Sequence, residues 1–87
     1  MMSEESMYRG YQENKYDADH DVMHVFLGSQ AYSSSEEVVD DVFVTRNDDT
    51  EAIVGFTILN FKGRNQMLVQ ALYPQFDFSI GYYCKGD

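Results

Sequence analysis

Two stretches of this chain join an acidic turn to a run of β-branched and large apolar residues. That pairing confines the chain to a small antiparallel β architecture. The first, residues 16–27, passes from Tyr16 through Asp17, Asp19, His20 and Asp21 into Val22-Met23-His24-Val25-Phe26-Leu27. The second, residues 42–59, sets Val42-Phe43-Val44-Thr45 and Ile53-Val54-Gly55-Phe56-Thr57-Ile58-Leu59 on either side of a turn at Asn47-Asp48-Asp49-Thr50. Strand side chains alternate between faces, so Met23, Val25 and Leu27 share one face and His24 lies on the other. The last run is apolar on both sides, which fits a central strand covered on both faces. Met23, Val25, Leu27, Val44, Phe56 and Ile58 are the expected core, with 42–45 antiparallel to Ile53–Leu59.

The flanks read differently. Residues 1–14 are polar and acidic and read as a flexible arm, leaving 15–87 as one domain: a meander over 15–60 and an extension over 61–87. Residues 15–17 open a short first strand, 28–35 are a serine-rich loop, and 36–39 are an edge segment. Met67, Leu68, Ala71 and Leu72 form an apolar helical stripe, which predicts a helix near 65–73, with Asn65 as its N-cap and Pro74 as its stop. Beyond Pro74, Phe76, Phe78, Ile80 and Tyr82 alternate with polar or small residues, the period of a final half-buried strand. The expected fold is α+β: an antiparallel meander of about four strands, one helix and a C-terminal strand.

Quoted together, the motifs resemble a known pattern. Tyr16-Asp17-x-x-x-Asp21-Val22-Met23-His24-Val25-Phe26-Leu27 is similar to the opening motif of a bacterial family, domain of unknown function 2283. Glu37-Val38-Val39-Asp40-Asp41-Val42-Phe43-Val44 resembles its middle strand, and Ala52-Ile53-Val54-Gly55-Phe56-Thr57-Ile58-Leu59 its closing strand, over about residues 15–60. The chain departs from that pattern at His24, where the family has an aromatic or polar residue, and at Phe26, where it has a basic one. It departs again at Thr57, where an acid is common, and at Glu51 or Ala52, where the family turn has a Gly. The resemblance implies no catalytic residues. Some members resemble one half of two-gene modules of the toxin–antitoxin kind.

Composition narrows the function classes. With 87 residues the core is small, and seven Tyr and six Phe are more aromatic surface than it readily hides, which favours a homo-oligomer. Fifteen acids against six Lys and Arg give a net charge of −9, which argues against nucleic acid and anionic membranes as partners and leaves a basic protein surface as one candidate. The opening residues have neither a basic nor an apolar signal region, and no apolar run approaches the roughly 18 residues of a membrane span. A cytoplasmic protein is therefore the expectation, and the lone Cys84 carries no sign of an oxidising compartment.

No chemistry-bearing set is complete. Asp17-x-Asp19-x-Asp21 starts like a calcium loop, but Val22 stands at the glycine position and Gly28 at that of the bidentate Glu. His20 and His24 are four apart, which on a strand means about 13 Å, too far to share a zinc ion. Cys84 has no base beside it in sequence. No cofactor, metal site or catalytic residue is expected. The residues singled out for protein contact are the aromatics Phe26, Phe76, Phe78, Tyr82 and Tyr83. The expected function is a self-associating, non-enzymatic interaction module, which by the resemblance would be the regulatory or neutralising half of a two-gene pair; the alternative is an acidic decoy that occupies a basic, nucleic-acid-binding surface of another protein.

Overall fold

The computed structural model describes residues 11–84. Its strands are β1 (Gln12–Asp17), β2 (Val22–Phe26), β3 (Ser33–Val39), β4 (Val42–Asn47), β5 (Ile53–Leu59) and the two-residue β6 (Tyr83–Cys84). One helix, α1 (Gln66–Leu72), follows an irregular turn at Phe61–Asn65, where Lys62 (ψ 158°) and Gly63 (φ 84°, ψ −135°) leave helical geometry. The α+β class stands.

The strand count and order differ from the expectation. Six antiparallel strands form one sheet in the order β3-β4-β5-β2-β1-β6. The sheet is a β1–β2 hairpin set beside a β3–β4–β5 meander, and β2 pairs with β5 (Val25↔Phe56) rather than with its sequence neighbour β3. The connection after β2 makes this order. Leu27 N–H donates to Val54 O (2.9 Å), and the Gln30 amide donates to Gly28 O and Val54 O (2.9 and 2.7 Å). The chain is thereby tied to the end of β5 as it crosses to the far edge. Gly55 fits under this crossing because a Cβ there would lie 2.8 Å from Val25 O and 3.2 Å from the Gln30 amide.

Two boundaries also move. The serines assigned to a loop pair with β4 (Ser35↔Thr45), and the Ser35 and Thr45 hydroxyls lie 2.8 Å apart. β1 starts at Gln12, inside the segment expected as an arm, and Gln12 and Asn14 are buried. The rest of that arm, residues 1–10, lies outside the described residues.

Acidic turns close the hairpins as their composition suggests. Asp17 Oδ1 accepts the N–H groups of Asp19 (3.0 Å) and His20 (3.3 Å), and Asn47 Oδ1 accepts those of Asp49 and Thr50 (2.8 and 2.9 Å). Glu51 sits at φ 64°, a left-handed geometry that glycine adopts without strain.

The core lies on one face of the sheet. Met23, Val25, Leu27, Val42, Val44, Phe56 and Ile58 pack with Phe61, Val69 and Phe78. All six expected core residues are present, and β4 runs antiparallel to β5. Burial of each such side chain stabilises the fold by roughly 1.5–3 kcal/mol. The opposite face has no covering layer among the described residues, so β5 is central but covered on one side only. Val22, His24, Phe26, Phe43, Thr57 and Leu59 there are half-buried.

The segment after α1 departs furthest from its pattern. Residues 76–82 are not a strand; their backbone is held by side chains. Asn14 Nδ2 donates to Asp77 O and Ser79 O (both 2.8 Å), Gln12 Nε2 donates to Asp77 O, and Gln70 donates to Phe76 O (2.6 Å) and accepts from Phe78 N–H (3.1 Å). With its polar groups occupied in this way, the segment caps the core as a strap and joins the sheet only at its end, where Tyr82 O accepts Asn14 N–H and Tyr83–Cys84 pair with β1.

Candidate functional site

One end of the sheet gathers the signature acids. The β1–β2 turn, the β3–β4 turn and the exit of β5 meet there, and two carboxylates fasten the exit. Asp21 Oδ1 accepts the Tyr16 hydroxyl (2.5 Å) and Lys62 N–H (3.1 Å), while Asp21 O accepts Phe61 N–H (3.0 Å). Asp41 Oδ2 accepts from Asn60 Nδ2 (3.2 Å), and Asp41 O accepts from Leu59 N–H (2.8 Å). Lys62 Nζ lies 5.7 Å from the Tyr16 ring centroid, and that ring packs against Phe61. Tyr16, Asp21 and Asp41 thus fix where the chain leaves the sheet for the helix.

The Tyr16–Asp21 pair carries a pH signature. The Asp21 carboxylate, accepting the Tyr16 hydroxyl and Lys62 N–H, titrates below its ordinary 3.8, and Tyr16 is pushed up to about 12. A lowered carboxyl stabilises the fold above its ordinary range, and that contribution disappears as pH falls through the lower folded value. A raised phenol stabilises fully below 10.0, and the contribution disappears as pH rises through about 12. Tyr16→Phe keeps the ring and removes the hydroxyl. It will lower the melting temperature at neutral pH, and the gap to wild type will close at both extremes. Thermal melts from pH 2 to 12 read this directly, and a gap constant with pH would deny the bond its role.

The helix has its apolar stripe on the outside. Val69 is its one buried residue, while Met67 is 74 %, Leu68 39 % and Leu72 45 % exposed. Gln70 and Gln66 face the strap instead, with Gln66 Nε2 3.5 Å from Phe78 O. Asn65 makes no side-chain cap; its Nδ2 donates to Leu59 O (2.9 Å). Beside the stripe runs a shallow groove of about 800 Å³. Asp40 and Asp41 contribute to its lining from the β3–β4 turn, Lys62 and Arg64 from the turn after β5, and Met67 and Leu68 from the helix.

The five aromatics singled out from the sequence do not form one surface. Phe78 is 1 % exposed, inside the core, with its ring 5.2 Å from that of Phe56, so it is closed to any partner. Phe76 is half-buried at 5.4 Å from the same ring. Tyr82 is half-buried, and its backbone O accepts from Asn14 N–H (2.8 Å). Phe26 is stacked near His24 (6.3 Å) on the uncovered sheet face, and Tyr83, 56 % exposed, meets Tyr11 edge-on at 6.2 Å. The sequence reading missed the exposure of Met67, Leu68 and Leu72. An apolar stripe looks the same whether it faces a core or solvent.

His20 lies in the β1–β2 turn and His24 in β2. His20 Nδ1 lies 2.9 Å from Asp17 Oδ2 in the turn, and that contact holds the Asp17 carboxyl below its usual value, whereas His24 sits on the sheet face. No cluster of three or more His, Cys, Asp or Glu residues suited to a metal occurs among the described residues. Nor is any described helix long and apolar enough to cross a membrane. Cys84 lies in β6.

Residues 14–62 match the family described as Protein of unknown function (DUF2283). No curated protein and no solved structure matches the chain.

Proposed function

The chain belongs to the DUF2283 family, and from that premise we propose that it is a non-enzymatic protein-interaction module, acting in the cytoplasm as the regulatory or neutralising half of a two-gene pair. The observation that carries this reading is the outward apolar stripe of α1. Met67, Leu68 and Leu72 stand exposed on this one short helix. An apolar patch rimmed by polar groups is characteristic of a contact surface, and methionine adapts its shape to a partner. The proposed contact surface therefore shifts from the strap aromatics to the helix.

The acidic-decoy reading has weaker support. Its acids divide between opposite ends of the sheet, Asp19, Asp21, Asp40 and Asp41 at one and Asp48, Asp49 and Glu51 at the other. A nucleic-acid mimic needs them along one surface. Pull-down of the tagged chain from its native host, beside a Met67→Ser/Leu68→Ser variant of equal melting temperature, tests the module. The variant should lose the proteins that wild type retains at 0.5 M salt. Identical recovery by both would reject the patch. Retention that collapses with salt in both would favour the decoy.

A further inference from the structure

We infer that the groove beside α1 takes the same groove of a second copy of this chain, the two related by a two-fold axis. This rests on the reading of the patch as a protein-binding surface and goes further by naming the occupant. The lining of the groove carries both signs of charge beside exposed apolar side chains. Asp40 and Asp41 bring negative charge from the β3–β4 turn, Lys62 and Arg64 bring positive charge from the turn after β5, and Met67 and Leu68 lie with them. A two-fold contact places the same surface on both sides and requires it to complement itself. A surface of one sign opposes its own copy. A surface that carries both signs can set each against the other across the axis and bury its apolar side chains with them.

One group of each sign is free for this use. Arg64 and Asp40 are exposed, and neither side chain has a partner among the described residues. Two of the six basic residues of a chain of charge −9 thus stand together on the apolar patch. A strongly basic partner would be opposed by Lys62 and Arg64, and a strongly acidic one by Asp40 and Asp41. A second copy satisfies both. The general repulsion between two acidic chains is screened within about 8 Å at physiological salt, so contact at the patch decides the outcome. Burial of Met67 and Leu68 supplies the attraction, and the charges set the register.

The test uses Arg64→Glu and Asp40→Lys, exposed changes that leave every described contact in place; circular dichroism and melting temperature verify the fold. Sedimentation equilibrium should find wild type dimeric at micromolar concentrations. Each variant alone should associate roughly a hundredfold more weakly, because like charges then face each other. An equimolar mixture of the two variants should recover the dimer, since Arg64 of one then meets Asp40 of the other while the new lysine meets the new glutamate. A monomeric wild type overturns the inference, as do a dimer indifferent to both changes and a mixture that fails to recover. A monomeric wild type whose host proteins are still lost on Met67→Ser/Leu68→Ser would remove the second copy and keep the module. Loss of neither dimer nor host proteins in that variant would remove both.

Discussion

Phe78→Ala will destabilise the domain by about 3–5 kcal/mol, the usual cost of removing a fully buried Phe ring. The ring is 1 % exposed and meets Phe56 edge-on at 5.2 Å and 81°. Tyr73 and Phe76 approach the same Phe56 ring at 4.9 and 5.4 Å, so the Phe78 cavity would open into an aromatic cluster whose pairs each add roughly 0.5–1.5 kcal/mol beyond buried area. A small domain is stable by only about 5–15 kcal/mol, so a large part of that reserve is at stake. Urea unfolding followed by tyrosine fluorescence gives the number. Ile80→Ser, at a strap residue 49 % exposed, should stay within about 0.5 kcal/mol of wild type. Equal midpoints for the two variants would place Phe78 outside the core. For the same reason a substitution at Phe78 is no probe of a protein interface.

The meander strands were legible because both signals agreed. In Val42–Asn47 and Ile53–Leu59, β-branched composition coincides with turn chemistry that local side chains supply, as Asn47 does for the turn between them. Sheet order was not legible. Nothing local distinguishes a chain that turns back beside β2 from one that crosses the end of β5, and the Gln30 amide that ties the crossing down is one residue in a polar loop. Ser33–Ser35 was hidden because serine favours turns, yet the strand forms through pairing with β4. The helix was visible in its period, but its facing was not. The period of 3.6 marks a stripe, and the identity of the buried side depends on Gln66 and Gln70, which hold the strap. That same strap made Phe76, Phe78 and Ile80 look like a strand. Alternation survives in any extended segment, and what decides whether it joins a sheet is where its carbonyls find donors.

Those donors are the basis of the second large effect. Asn14→Asp will destabilise the domain by about 3 kcal/mol or more at neutral pH, although it changes one NH₂ for an oxygen of similar size. Asn14 is 5 % exposed, and its Nδ2 is the donor to both Asp77 O and Ser79 O at 2.8 Å. A carboxylate there supplies no N–H and sets negative charge against two carbonyl oxygens in a buried place. The new carboxyl will titrate above the usual carboxylate range in the folded chain, since burial and the carbonyls both disfavour its charged form. Its stability deficit is therefore smallest below pH about 4, where folded and unfolded states are both protonated, and grows as pH rises through the raised folded value. Asn14→Leu separates charge from the loss of the donor. It leaves Ser79 O without its donor and Asp77 O with the Gln12 amide alone, adds no charge, costs about 1–3 kcal/mol, and should show no such pH dependence relative to wild type. Paired urea titrations at pH 4 and pH 7 distinguish the two, and an Asn14→Asp variant as stable as wild type at pH 7 would refute the arrangement. The side-chain amides of β1 and α1 stand where a neighbouring strand's N–H groups would otherwise be, so the strap stays folded over the aromatic core rather than extending the sheet at its edge.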